Sequence, residues 1–145
     1  ELVIDTEEFH GVMHGNKIKN VPSNIHLYHR VPQIEVLKIS DVFVTHGGMN
    51  SISEAMVHKV PMLVIPFSSD QPTNAKCVEK LGIGKSLKYK EVTKEKIKLY
   101  TMFLLKDRLV KVNLAKTEKW IENALGNKGG AQCILDYYRS LDLYK

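Results

Sequence analysis

Cysteine, tryptophan and long apolar runs are all scarce in this sequence. The 145 residues include only two cysteines, Cys77 and Cys133, and a single tryptophan. Two distant cysteines form neither a disulfide framework nor the paired spacing of a zinc site, so we expect a reducing, cytoplasmic compartment. No run approaches the roughly 18 apolar residues that a membrane-spanning helix requires, and no secretory signal pattern is visible, so we expect no transmembrane segment.

The composition is that of an ordinary globular domain. Hydrophobic residues make up 43% of the chain and charged residues 26%, which with this length permits one substantial core. The formal net charge is +5. The lysines between Lys85 and Lys119 alternate with apolar residues, as on solvated helix faces, and no nucleic-acid-binding motif accompanies them. We therefore expect no nucleic-acid partner.

One histidine pair has a spacing that a metal site on a helix would use. His10 and His14 are four residues apart. Gly11 and Gly15 argue against a helix there, and no carboxylate stands at a ligand spacing. We expect no metal site.

Strand-like and helix-like patterns alternate over the first 90 residues. Strands are predicted over residues 1–5, 24–29, 42–44, 62–67 and 84–87, and helices over residues 33–39, 51–59 and 73–81. Such alternation predicts right-handed crossovers and a Rossmann-like parallel sheet with helices on both faces. Ligands of such sheets bind at the carboxyl ends of the strands.

The last third of the chain is predicted to be a helical tail. Thr93 has the character of an N-cap before a helix over residues 94–106, and a second amphipathic helix follows over 109–125. Glycines at 126–130 predict a break before a final helix over 131–141. Trp120 is interpreted as a core or domain-contact residue.

A phosphate-binding loop is predicted where the central strand ends. Val42–Val44 is followed by Thr45-His46-Gly47-Gly48 and then by a helical pattern. Glycines let backbone N–H groups approach a ligand, and a helix N-terminus offers unpaired donors and a partial positive charge. His46 is either a packed core histidine or a donor to an anion, and the glycines favour the donor.

Two further pairs of polar residues allow alternative interpretations. Ser51 and Glu54 have the spacing of a capping box, which by itself explains both, but the glutamate carboxylate also suits a ribose diol. Asp70 and Gln71 form either a simple turn or the acceptor and donor pair that sugar hydroxyls require.

Together these residues resemble a known signature. The pattern consists of fixed spacings over more than forty residues: Val31-Pro32-Gln33, Thr45-His46-Gly47-Gly48, Asn50-Ser51, Glu54, Pro61, Pro66, Asp70-Gln71 and Asn74. It resembles the donor-binding signature of family-one UDP-glycosyltransferases, most closely that of bacterial macrolide and antibiotic glucosyltransferases. The resemblance is specific over residues 24–87 and looser over the tail.

The resemblance implies a role for each matched position. Each part of the donor would have its own set of binding residues. Val31 would pack on the uracil, Gln33 would lie near the base or ribose, and Glu54 would hold the ribose hydroxyls. The diphosphate would be held by His46, Gly48, Asn50 and Ser51, and the sugar hydroxyls by Asp70 and Gln71.

The resemblance also implies an activity for the whole protein. The chain would be a single domain over residues 1–145, the C-terminal, donor-binding half of a GT-B enzyme. That enzyme would transfer a hexose from a UDP-sugar, such as UDP-glucose, to an acceptor hydroxyl with inversion. His46 would stabilise the leaving group, and no metal or other cofactor is expected. The catalytic base belongs to an N-terminal acceptor domain, in the same or a separate chain, so this part is expected to be inactive alone.

Two departures from the family pattern leave alternatives open. Lys59 stands where the family has a glycine that ends a helix, so a left-handed cap there would be strained. The family's donor domain also begins with an extra strand and helix before the matched segment. The alternatives are the donor half of another GT-B enzyme, such as a lipid-intermediate N-acetylglucosaminyltransferase, and a non-catalytic nucleotide-binding or interaction domain.

Overall fold

The described residues divide into two compact units. The computed structural model describes residues 1–5, 21–124 and 126–141, so the predicted loop containing His10 and His14 lies outside the described residues. Residues 1–39 form the first unit and residues 40–145 the second. The expectation of one domain over the whole chain stays a prediction.

The first unit is a parallel strand pair followed by a short helix. Strand β1 (Leu2–Asp5) pairs with β2 (Ile25–Tyr28), with Leu2 opposite Ile25. Helix α1 (Gln33–Leu37) follows Pro32 and buries Leu37. A proline suits the start of a helix because the first N–H groups have no partner within the helix. Both predicted strands and the predicted helix are confirmed.

The second unit contains a three-stranded parallel sheet. Strands β3 (Phe43–Thr45), β4 (Met62–Val64) and β5 (Gly84–Ser86) lie in the order β3-β4-β5. All three residues of the central strand, β4, have an exposed fraction of 0%. A strand buried on both faces must be apolar throughout, as this run is, and the predicted strand is confirmed. The strand ends earlier than predicted, before Pro66, whose nitrogen has no hydrogen to donate.

The two helices that follow β3 and β4 begin two residues earlier than predicted. Helix α2 (Met49–Val57) has Gly48 as its N-cap, and helix α3 (Gln71–Lys80) has Asp70. The sequence prediction treated Pro72 as part of the preceding loop. A proline is tolerated in the first helical turn, however, because that N–H would have no intrahelical partner.

Three longer helices complete the second unit: α4 (Lys94–Lys106), α5 (Arg108–Glu122) and α6 (Gly126–Ser140), preceded by a 3₁₀ turn at Tyr89–Glu91. The predicted N-cap is confirmed, since Thr93 Oγ1 accepts a hydrogen bond of 3.2 Å from the Lys96 N–H. Leu104 and Leu114 are fully buried. Helices therefore flank the parallel strands, as expected. Within the described ranges, none of them combines the length and apolar character that a membrane crossing requires.

Two predictions for the tail are only partly right. The break before the final helix is confirmed, but it includes residues 123–124, and the glycines at 126–130 belong to the start of α6, where a helical glycine costs only about 1 kcal/mol relative to alanine. Trp120 is 55% exposed and is not a core residue of this unit, and its interpretation as a domain-contact residue stays a prediction. The buried stripe of α5 runs through Val110, Leu114 and Thr117 at helical spacing, and Trp120 lies beside its continuation.

Lys59 adopts the left-handed conformation that its position predicted. Its φ is +58°. The Val60 N–H bonds to the Ala55 carbonyl at 2.9 Å and the Lys59 N–H to the Met56 carbonyl at 3.1 Å, the two bonds of a Schellman cap. Lys59 Nζ also lies 2.7 Å from Glu118 Oε1 on α5, and both side chains are close to half exposed.

We expect Lys59→Gly to stabilise the chain by about 0.5–1 kcal/mol. Glycine adopts this backbone conformation without steric cost, whereas the lost ion pair is exposed and contributes little. The measurement is the free energy of unfolding in urea. Glu118→Gln is the control, because it removes the same ion pair without changing the backbone, and a destabilised Lys59→Gly variant would contradict the expectation.

Candidate functional site

The loop between β3 and α2 is held tightly against the central strand. Thr45 is buried, and its Oγ1 accepts a hydrogen bond of 3.2 Å from the Gly47 N–H. Gly47 has a φ of +88°, and a Cβ placed on it would lie 2.5 Å from Cγ1 of Val64. Only glycine therefore lets the backbone turn here and pass this close to β4.

Gly48 makes room for the ring of His46. A Cβ on Gly48 would lie 2.7 Å from Nε2 of His46, so the imidazole lies directly beside this residue. The backbone of Gly48 is extended, with φ −62° and ψ +146°. The absence of a side chain therefore serves the position of His46 and not the backbone conformation.

The first turn of α2 is suited to an anion. It consists of Met49, Asn50 and Ser51, contains no acidic residue, and receives no side-chain hydrogen bond from its N-cap. The opening N–H groups of a helix have no intrahelical partner and carry the positive end of the helix dipole. Because no carboxylate in this turn offsets that charge, phosphate oxygens suit it well.

The capping-box interpretation of Ser51 and Glu54 is wrong. Ser51 is the third residue of α2, and the N-cap is Gly48. Glu54, half-buried, therefore lies a turn too far along the helix to bond back to the N-cap N–H. A cap of this helix does not account for the two residues.

The loop between β4 and α3 is closed by the side chain of Gln71. Its Oε1 accepts hydrogen bonds from the Phe67 N–H at 2.8 Å and the Ser68 N–H at 3.2 Å. Asp70 is the last residue of this loop, the N-cap of α3, and is exposed. The two residues are thus more than a simple turn, since one closes the loop and the other is presented at its surface.

The two loops meet at one edge of the sheet. β3 and β4 are parallel neighbours, so their carboxyl ends lie side by side. Asn74, whose exposed fraction is 7%, joins the loops directly. Its Nδ2 donates to the Gly47 carbonyl at 3.0 Å and to Asp70 Oδ2 at 2.8 Å. Asn74 belongs to the sequence signature, but no role was predicted for it. Its position one helical turn after Asp70 was the available signal.

The nine predicted site residues fall in both units. Val31 and Gln33 belong to the first, where Val31 is half-buried and Gln33 begins α1. The second unit holds the others, at the ends of β3 and β4 and on the helices that follow: His46, Gly48, Asn50, Ser51, Glu54, Asp70 and Gln71. In the part of the chain that the structure describes, no three His, Cys, Asp or Glu side chains are grouped as metal ligands.

Comparison with solved structures defines the class of protein. The chain is similar to the glycosyltransferase of kitacinnamycin, with a TM-score of 0.85 and 32% identity over 94% of this chain and 34% of that one. It thus has the Rossmann-like fold of part of a GT-B glycosyltransferase.

Sequence comparison gives the family. Residues 8–120 match the family described as UDP-glucoronosyl and UDP-glucosyl transferase. A UDP-glucosyltransferase of Bacillus subtilis, YojK, is 35% identical over 83% of this chain and 30% of its own length. The oleandomycin glycosyltransferase of Streptomyces antibioticus is 28% identical over 83% of this chain and 27% of its own length. This chain belongs to the UDP-glycosyltransferase family, and it spans less than a third of the length of these two relatives.

Alanine at the two adjacent loop glycines is expected to have different effects on stability. Gly47→Ala should lower the free energy of unfolding by about 2–4 kcal/mol, because it combines a left-handed backbone with a clash against Val64. Gly48→Ala should cost less than about 1 kcal/mol, since its backbone suits alanine and only the His46 ring must move. Urea unfolding of both variants measures the difference, and equal losses would contradict this account of the loop.

Proposed function

We propose that this chain is the donor-binding half of an inverting glycosyltransferase that moves a hexose from a UDP-sugar to an acceptor hydroxyl. The observation that carries the proposal is the meeting of two polar loops, residues 46–48 and 67–70, at the carboxyl edge of the parallel strands β3 and β4. In a chain of this family, that edge is where a nucleotide-sugar is expected to bind.

The diphosphate is assigned to the loop after β3. The N–H groups that open α2, with the side chains of His46, Asn50 and Ser51, supply donors to phosphate oxygens, and Gly48 leaves space for their approach. When the bond between the anomeric carbon and the diphosphate oxygen breaks, negative charge grows on that oxygen. Donors held there stabilise the transition state more than the ground state, so His46 acts on the leaving group.

The sugar is assigned to the loop after β4. The Asp70 carboxylate accepts hydrogen bonds from sugar hydroxyls. The Gln71 side chain, whose Oε1 is used to close the loop, keeps its Nε2 as a donor. Glu54 is assigned to the ribose hydroxyls. The assignments of Val31 and Gln33 to the base rest on the sequence resemblance alone.

In the reaction, an acceptor hydroxyl gives its proton to a base of the N-terminal domain and attacks the anomeric carbon as UDP leaves with the bonding electrons. That domain, in the same or a separate chain, is the proposed partner. The family match over residues 8–120 favours this function over the lipid-intermediate alternative. A non-catalytic nucleotide-binding domain would bind UDP equally well, and the reading frame upstream of Glu1 distinguishes it. The cytoplasmic location stays a prediction.

Calorimetric titration should show that the chain binds UDP in preference to ADP. In the His46→Ala/Glu54→Ala double variant the Kd for UDP should rise at least about tenfold, because two polar contacts are removed. His58→Ala is the matched control, since this histidine lies at the opposite end of α2 and should leave UDP binding unchanged. Unaltered UDP binding by the double variant would contradict the assigned site.

UDP binding is expected to be independent of metal ions. Neutral donors and a helix N-terminus supply the charge stabilisation that a divalent cation would otherwise provide. Titration with UDP in the presence of EDTA and then of excess Mg²⁺ should give the same Kd. A Kd that falls tenfold or more with Mg²⁺ would show that the site uses a cation.

A further inference from the structure

The hydrogen bonds of the Asn74 side chain join the two loops of the candidate site. It lies on α3, is almost completely buried, and uses both hydrogens of one amide nitrogen on acceptors from different loops: the Gly47 carbonyl at 3.0 Å and Asp70 Oδ2 at 2.8 Å. Each bond restrains a different part of the site.

The bond to Asp70 restrains an exposed carboxylate. Asp70 is at the surface, where its side chain would otherwise sample several rotamers. A hydrogen bond to a charged group is among the stronger ones, and this one occupies Oδ2. The carboxylate is therefore held in one orientation, with Oδ1 left to accept from a ligand hydroxyl.

The bond to Gly47 restrains a peptide plane. The Gly47 carbonyl and the Gly48 N–H belong to the same planar trans peptide and point in opposite directions. By holding the carbonyl toward α3, Asn74 also fixes the direction of the Gly48 N–H at the N-cap of α2. The loop assigned to the diphosphate and the carboxylate assigned to the sugar thus have a common support.

We propose that Asn74 is a positioning residue that aligns the sugar-binding carboxylate with the diphosphate-binding loop, so that the donor is recognised as one unit. The proposal rests on the proposed function, because it concerns the same site. Asn74 itself need not touch the donor. It acts through Asp70 on the sugar and through Gly47 on the diphosphate.

The test is a double-mutant cycle measured with two probes, UDP and UDP-glucose. The ratio of their Kd values reports the gain in affinity due to the sugar. Asp70→Ala should lower this gain by about tenfold, the effect of one charge-assisted hydrogen bond. Asn74→Ala should lower it to a similar extent. Because Asn74 acts through Asp70, the double variant should lose no more of the gain than Asp70→Ala alone.

The chain offers a matched control and a second variant. Asn113 also donates from a helix to a loop carbonyl, that of Gly82 at 3.2 Å, but takes no part in the candidate site. Asn113→Ala should leave the sugar gain unchanged. Asn74→Leu keeps the approximate shape of the side chain but has no N–H to donate, so it should also lose the gain, and it serves if Asn74→Ala does not fold.

The outcomes separate this proposal from the proposed function. A parent chain that binds neither probe overturns the donor-binding function and the role of Asn74 with it. If the parent chain binds UDP and UDP-glucose with equal affinity, Asp70 has no role in binding the sugar, and the positioning role of Asn74 is overturned with it. Two outcomes would overturn the positioning role alone. In one, the sugar gain falls in Asp70→Ala but not in the folded Asn74 variants. In the other, the losses of the two single variants multiply in the double variant.

Discussion

Complete burial of the central strand β4 is the constraint on which the second unit depends. Met62, Leu63 and Val64 have no exposed surface, and β4 pairs with a parallel strand on each side. A strand at the edge of the sheet would have only one neighbour, whereas β4 holds a parallel strand on both sides. Because β3 and β4 are parallel and adjacent, the loops after them must emerge together. The location of the candidate site is therefore a consequence of how the core packs.

Close packing also explains the composition of the first loop. Gly47 lies against Val64, and Gly48 lies against the His46 ring. A side chain at either glycine would clash with a different neighbour. The neighbour of Gly47 is Val64, part of the core, and the neighbour of Gly48 is His46, a candidate ligand-binding side chain. Gly47 is therefore needed for stability and Gly48 for the position of a candidate binding residue, so substitutions at these two positions test the fold and the function separately.

The sequence pattern gave a good account of the elements and a poorer account of their ends. All five strands of the described residues were predicted, because apolar runs bounded by turn residues are a strong local signal. Helix starts were wrong at α2 and α3, where Gly48 and Asp70 serve as N-caps. The error at α2 matters most, since it made Ser51 and Glu54 resemble a capping box. Residue propensity also put the break before the final helix too late, because the glycines at 126–130 belong to the start of α6.

The sequence by itself determined the alternation of strands and helices, the family resemblance and the left-handed position of Lys59, because each depends on residue types at fixed local spacings. Only the tertiary structure decided that Trp120 is exposed and that Asn74 joins Gly47 to Asp70. Gly47 and Asn74 are 27 residues apart. Their contact depends on which strands are neighbours and on how closely α3 packs, and neither property is encoded by spacing along the chain.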